Sequence, residues 1–458
     1  MDYSAANTAL WSPIIQIGII AVLVLGANIL RRKLRFIRSS LIPTAVLAGF
    51  ILLALRSFGI IEISAAFLET VTYHALALGF IAMALRLPTA ESGVSARDGS
   101  RTGALIVSTY LVQALAGLAI SILLAYTFMP ELFSASGILL ALAYGQGPGQ
   151  ANNVGATYEA LGFAGGKSFG LSLAVVGYLC ACVVGVIYLN VLKKKGVISK
   201  EEKDEVSGSV SIDTFQSNDE IPIASSVDKL SVQVALVFGV YLLTYLVTWG
   251  ITVLLELISP ALAATVSTLL WGFNFIIGSM IATLAGSVIK KLRRVKLMSR
   301  QYQNNYLLSR LSGLAFDLMI VAGIASIEIS DLQGLWVPFV LMAVVGGVIT
   351  FVYLYAMSKK LYKGYFYEGF LSMYGMLTGT ISSGVLLLRE LDPDMKTPAS
   401  NNLVTGSSFG IIFGIPMLLV ISYAGTGAAQ TLISCAIIAV YLAALLAYIH
   451  LVGRSKKK

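Results

Sequence analysis

Apolar runs, each about as long as a bilayer is thick, alternate with short polar segments along almost the whole chain. The runs 11–30, 41–55, 71–87, 102–128 and 168–191 precede a long polar stretch. The runs 232–257, 262–289, 311–327, 335–357, 403–423 and 432–452 follow it. About 20 apolar residues make one helical crossing, so each run predicts a transmembrane helix. Two stretches break the pattern. The first, 137–161, opens apolar and then reads Tyr144-Gly-Gln-Gly-Pro-Gly-Gln-Ala-Asn-Asn153. Gly145, Gly147, Pro148 and Gly149 cannot continue a regular helix. The second, 365–388, is apolar at both ends and carries Thr378-Gly-Thr380-Ile-Ser-Ser383 in its middle. Both predict helical hairpins that dip into the membrane and return.

The polar stretch 193–227 is charged, serine-rich and almost without aromatic residues. It reads as a flexible cytoplasmic linker. It divides the chain into a first half, 1–192, and a second, 228–423, with an additional helix and basic tail in 424–458. Each half has five crossings and a broken hairpin before the fifth. The expected fold class is an all-α polytopic membrane protein built from two inverted five-helix repeats, each with a re-entrant hairpin, plus one extra C-terminal helix. A weak echo supports the repeat. Tyr144-Gly145, Gly149 and Asn152-Asn153 align with Tyr374-Gly375, Gly379 and Ser382-Ser383, and Ser168-Phe169-Gly170 with Ser408-Phe409-Gly410.

Composition strengthens the membrane assignment. Of 458 residues, 57% are hydrophobic and only 12% charged, against about 25% charged in soluble domains. The net charge of +9 sits in short runs between apolar stretches, as expected of cytoplasmic loops. With no basic, aromatic-interleaved domain outside the apolar runs, nucleic acid is excluded as a partner. Of 32 lysines and arginines, all but Arg56 and Lys167 fall on one side of the predicted topology. That orients the N-terminus outside and the C-terminus in the cytoplasm of a cell (inner) membrane. A basic cluster placed after the first apolar run, not before it, argues against a cleaved signal peptide.

Irregular backbone at membrane depth must be covered by protein or line a wet cavity. A hairpin tip offers helix N-termini, which attract anions, and free carbonyls, which coordinate sodium. Gln146, Gly147, Gly149, Gln150, Asn152, Asn153, Thr378, Gly379, Thr380, Ser382 and Ser383 are therefore the candidate substrate-binding residues. The alternative is that the glycines only let helices pack closely.

At these residues the chain resembles the bacterial sodium/glutamate symporter family, itself similar in architecture to citrate-type sodium carriers. Leu41-Ile42-Pro43, Val46-Leu47-Ala48-Gly49, the hairpin from Gly145 to Asn153, Tyr158-Glu159-Ala-Leu-Gly162-Phe163 and the hairpin after Tyr365-Phe-Tyr367 carry the resemblance. It implies two inverted five-helix halves, re-entrant loops from opposite faces and sodium-coupled glutamate uptake. Two departures concern the substrate. Gln146 and Pro148 stand where the family's glycine-rich first loop has histidine and threonine. Thr378-Gly-Thr380-Ile-Ser-Ser383 replaces its Gly-x-Gly-Ala-Thr-Pro-Thr run.

Asp317, about seven residues into its predicted helix, is a candidate cation-coupling residue with Asn152 and Ser382. A bare carboxylate at bilayer depth costs about 2.5–3.5 kcal/mol on insertion scales. Pairing with Arg310, or hydration at the boundary, is the plainer account. His74, near the outer end of its helix, reads as a packed or interfacial residue, and Glu159 as a solvated carboxylate near the outer mouth, able to steer cations. Arg389, at the cytoplasmic end of the second hairpin, reads as a positive-inside anchor, with contact to an anionic substrate in an inward-open state as the alternative. Cys180, Cys182 and Cys435 lack a metal-ligand partner set. No Walker loop or nucleophilic triad is present, so the chain reads as a non-enzyme without a cofactor, with sodium as coupling ion. The expected activity is sodium-coupled symport of glutamate or a related small organic anion, with a homodimer through the scaffold helices as a further expectation. A proton-coupled carboxylate carrier or exchanger and a passive channel remain open.

Overall fold

The computed structural model describes residues 2–34, 42–87, 96–196, 228–258, 267, 270–272, 274–298, 300–392 and 397–454. Its long helices are α1 (Thr8–Lys33), α2 (Thr44–Ser57), α3 (Ala65–Ala84) and α4 (Ala96–Ala125), then α5 (Pro148–Ala160), α6 (Gly166–Lys194), α7 (Lys229–Ile258), α8 (Asn274–Arg294) and α9 (Asn305–Ala325). There follow α10 (Trp336–Leu361), α11 (Phe366–Thr378), α12 (Ile381–Arg389), α13 (Ala399–Ala424) and α14 (Ala428–Arg454). No β-strand occurs among the described residues. Ten of the described helices, α1, α3, α4, α6 to α10, α13 and α14, are long and apolar enough to cross a bilayer.

The crossing expected at 41–55 is α2, of 14 residues. At 1.5 Å per residue it spans about 21 Å, short of a hydrocarbon core of about 30 Å. Pro43, its N-cap, sets where it begins. Helix α4 starts six residues before the expected crossing, so Arg97 and Arg101 lie on its first turns and not in a loop. The segment around 262–273 and the linker 197–227 lie largely outside the described residues.

Two compact units are present, and both draw on the two sequence halves. One comprises Met1–Glu69, Glu91–Ser199 and Ile320–Lys458; the other comprises Thr70–Ala90 and Lys200–Met319. The second unit has its own core of Ile81, Ala82, Leu85, Val237, Val240, Ala282 and Leu308. In it, exposed His74 places Nδ1 2.6 Å from the Tyr241 hydroxyl, and their rings meet edge to face. In the first unit, α1 buries only Ile20 and Ala27, which leaves an apolar surface suited to lipid. The bulkiest fully buried side chains, Tyr144, Tyr158, Tyr178, Tyr374, Phe169 and Phe370, all belong to the two broken segments or to α6. The densest packing of the first unit is therefore organised around those segments.

Candidate functional site at two helix breaks

The first broken segment descends as a 3₁₀ turn (Ser134–Gly137), one α-turn (Ile138–Ala141) and a π-turn (Leu142–Gln146). It stops at Gly147, with φ 98° and ψ −176°, and resumes at Pro148, the first residue of α5. Proline suits that position because the N–H it lacks would be unpaired anyway. The descending arm lies backbone to backbone on α4: a Cβ added at Gly117 would sit 2.0 Å from Gly137 O. The Ser121 hydroxyl donates to Ser134 O at 2.6 Å, and Gly145 rests on Tyr110 and Gln113. Helix α5 then returns. The Tyr158 ring lies 5.2 Å from that of Phe133, just before the arm, so the chain has reversed.

The second segment is α11, a break at Gly379 and Thr380, and α12. Its arms touch at Gly375 and Gly384, where an added Cβ would meet Gly384 Cα at 2.9 Å and Ser372 O at 2.4 Å respectively. Helix α11 runs back along α10, with Phe370 and Tyr374 rings 5.1 and 5.5 Å from that of Phe351.

Helix α4 serves as a ruler for both hairpins. Just before α11, the Tyr362 hydroxyl reaches Thr102. Near the end of α11, Leu377 O accepts from Gln113 Nε2 at 2.8 Å. The first hairpin runs the other way, from Ser121 to Gln113. The hairpins thus approach Gln113 from opposite ends of α4, and their tips meet. A Cβ on Gly147 would lie 3.7 Å from both Gly379 O and Thr380 Cγ2, and 4.0 Å from the Tyr178 hydroxyl. On α6, Gly177 lets both tips close in: its Cβ position is 2.3 Å from Thr378 O and 3.3 Å from Tyr144.

The sequence-derived residues divide as follows. Gly147, Gly379 and Thr380 form the meeting point. Gln150, Asn152, Asn153 and Ser383 are buried on the second arms. Gln146 closes the first arm and is half-buried, and Gly149 is buried in the first turn of α5. Gln150 Oε1, Asn152 Oδ1, Thr380 Oγ1 and Ser383 Oγ are buried without a hydrogen-bond partner among the described residues. The Thr378 hydroxyl turns back instead and donates to Tyr374 O at 2.7 Å, so it does not join that set. The Ser382 side chain lies outside the described residues. Neither Gly147 nor Thr380 caps its helix through a side chain, so the first N–H groups of α5 and α12 lack that partner.

Asp317 belongs to the other compact unit. It is exposed there and forms no ion pair among the described residues; Arg310, its candidate partner, lies instead over the Tyr306 ring at 5.0 Å. Glu159 is more engaged than a solvated carboxylate. It accepts from Lys167 N at 2.9 Å and pairs with Lys167 Nζ at 3.4 Å, while Lys167 also meets Glu69 at 2.7 Å. Arg56 pairs with Glu328. Both basic residues that break the charge partition are therefore neutralised by carboxylates.

The aligned echo does not carry over to contacts. It pairs Gly149 with Gly379, yet the breaks fall at Gly147 and Gly379. Gly145 packs on α4, while Gly375 packs on its own hairpin's second arm.

Sequence reasoning missed Gly177, Tyr178 and Gln113. Gln113 was detectable in principle as the one amide inside the apolar α4, where polar groups are costly.

No protein-family model and no curated protein matches the sequence. Fold and composition define a class: an all-helical, multi-pass membrane protein.

Proposed function

We propose that the protein is a secondary active transporter that couples sodium influx to uptake of glutamate or a related small organic anion by alternating access. In this reading the hairpins are re-entrant loops of two inverted repeats, entering from opposite faces of the cell membrane. The N-terminus is outside and the C-terminus cytoplasmic.

One observation carries the proposal: two helix breaks from opposite ends of α4 meet at Gly147 and Gly379–Thr380, and the two hairpins carry buried oxygens with no hydrogen-bond partner among the described residues. Neutral amide and hydroxyl oxygens suit a hard monovalent cation, and uncapped helix N-termini favour a carboxylate. Cation and anion then neutralise each other in a site with no lysine or arginine at either tip. The resemblance of the sequence to sodium/glutamate carriers points the same way.

Uptake of labelled L-glutamate into proteoliposomes tests this, with an inward sodium gradient and with potassium in place of sodium. Accumulation above the external concentration, in sodium only, is the expected result. Equilibration without accumulation in either salt would indicate a channel. No uptake by folded protein would remove glutamate as substrate and turn the search to other carboxylates under sodium and proton gradients.

A further inference from the structure

Gln113 belongs to neither hairpin, yet its amide lies where both end. Its Nε2 donates to Leu377 O at 2.8 Å and to Thr350 Oγ1 at 2.9 Å. Leu377 O is one of the carbonyls that the break at Gly379 deprives of an intrahelical partner. The Thr350 hydroxyl is itself fixed, donating to Gly346 O on α10 at 2.7 Å. The other end of the amide, Oε1, would lie 2.8 Å from a Cβ on Gly145, so it abuts the descending arm of the first hairpin. The side chain is 0% exposed, and Oε1 has no hydrogen-bond partner among the described residues.

From this geometry we infer that Gln113 is a positioning residue that holds the two tips in register for cation binding. The inference rests on the carrier reading above. The donor end of the amide fixes the second tip, and its carbonyl end sets how closely the first can approach. Leucine at this position keeps the bulk but leaves Leu377 O unpaired in a dry interior, where an unsatisfied buried group is costly. The second tip then loses its fixed depth beside Gly147. A glutamate keeps the shape and restores the donor only while its carboxyl is protonated.

The test is the sodium-induced rise in melting temperature of purified protein in detergent, titrated with sodium chloride against potassium chloride. Wild type, Gln113→Leu and Gln113→Glu are compared between pH 5 and pH 9, each against wild type at the same pH. Gln113→Leu is expected to need about tenfold more sodium for the half-maximal rise. Gln113→Glu is expected to match wild type at low pH. It then loses the response as pH rises and its carboxyl ionises. A residue that merely packed would lower the melting temperature without moving the sodium midpoint, and that outcome overturns the inference. If Gln113→Leu does not fold, Gln113→Glu decides alone: a sodium midpoint independent of pH overturns the assignment. A wild type that responds to neither salt would remove the sodium site itself and the inference with it. A responsive wild type with unresponsive midpoints in both variants removes only the role of Gln113.

Discussion

In the proposed carrier, replacing Gly177 by alanine is expected to weaken substrate and sodium binding by about tenfold or more, while the same change at Gly239 leaves both intact. A Cβ at Gly177 would lie 2.3 Å from Thr378 O, a backbone atom at the second tip, and 3.3 Å from the Tyr144 ring on the first arm. Backbone cannot swing aside as a flexible side chain can, so one helix must retreat. Overpacking of this kind costs about 1–3 kcal/mol, and 1.4 kcal/mol is about a factor of ten in an equilibrium constant. The strain falls on the breaks themselves, so binding suffers along with stability. Gly239 has nothing within 4 Å of its Cβ position, and there alanine only improves helix propensity, by up to about 1 kcal/mol. Half-saturation of uptake by substrate and by sodium, with melting temperature recorded for each variant, separates the two cases.

Gly147→Ala is expected to be comparably damaging for a different reason. Space is available, since the nearest heavy atoms are at 3.7 Å. The backbone is the obstacle. With φ 98° and ψ −176° the residue occupies a region essentially reserved for glycine, at a cost of about 1–3 kcal/mol for any other residue. Gly162, with φ 104° and nothing within 4 Å, is the matched control away from the tips. Alanine at either position should lower the melting temperature by a similar amount. Only the change at Gly147 should also raise the sodium concentration needed for half-maximal uptake. A rise at both positions would mean that general destabilisation, and not tip geometry, governs the response.

Much of the architecture was legible in the chain because membrane burial leaves a one-dimensional record. The apolar runs located the long helices, and the glycines and proline of 145–149 marked the first broken segment, whose break falls at Gly147-Pro148 while Gly145 and Gly149 stay in helical turns. The second break has no proline and was read from Gly379 among hydroxyl residues. Helix ends were less legible. Arg97 and Arg101 extend α4 beyond its apolar stretch, where Arg97 donates to Val452 O and Arg101 pairs with Asp98 at 3.7 Å. The apolar run 41–55 is itself short of a crossing, and α2, which begins after Pro43, stays short of one although its composition matches the longer spans.

Two broken hairpins that meet are what the pattern leads one to expect, but which side chains stand at the junction was not legible. Whether Gln150, Asn152, Thr380 and Ser383 stand at one junction depends on contacts between segments more than 200 residues apart, such as Gln113 with Leu377. The sequence signals polarity and breakage but not register. The same limit explains Asp317. A carboxylate in an apolar helix signals a cost to be met, but not which unit meets it. It explains Lys167 as well, an exception to the charge pattern until Glu69 and Glu159 are found beside it.

The central claim is that the two tips form one cation site, and a double-mutant cycle across the junction tests it most directly. Gln150→Leu removes an unpartnered oxygen on the first hairpin, and Thr380→Val removes one on the second while keeping the branched shape. The half-saturating sodium concentration for uptake is measured for wild type, both single variants and the double variant. One shared site predicts that the double variant is less impaired than the two single effects combined, with a coupling of at least about 0.5 kcal/mol. Effects that simply add, within about 0.3–0.5 kcal/mol, would mean that the oxygens serve independent sites and would contradict the account.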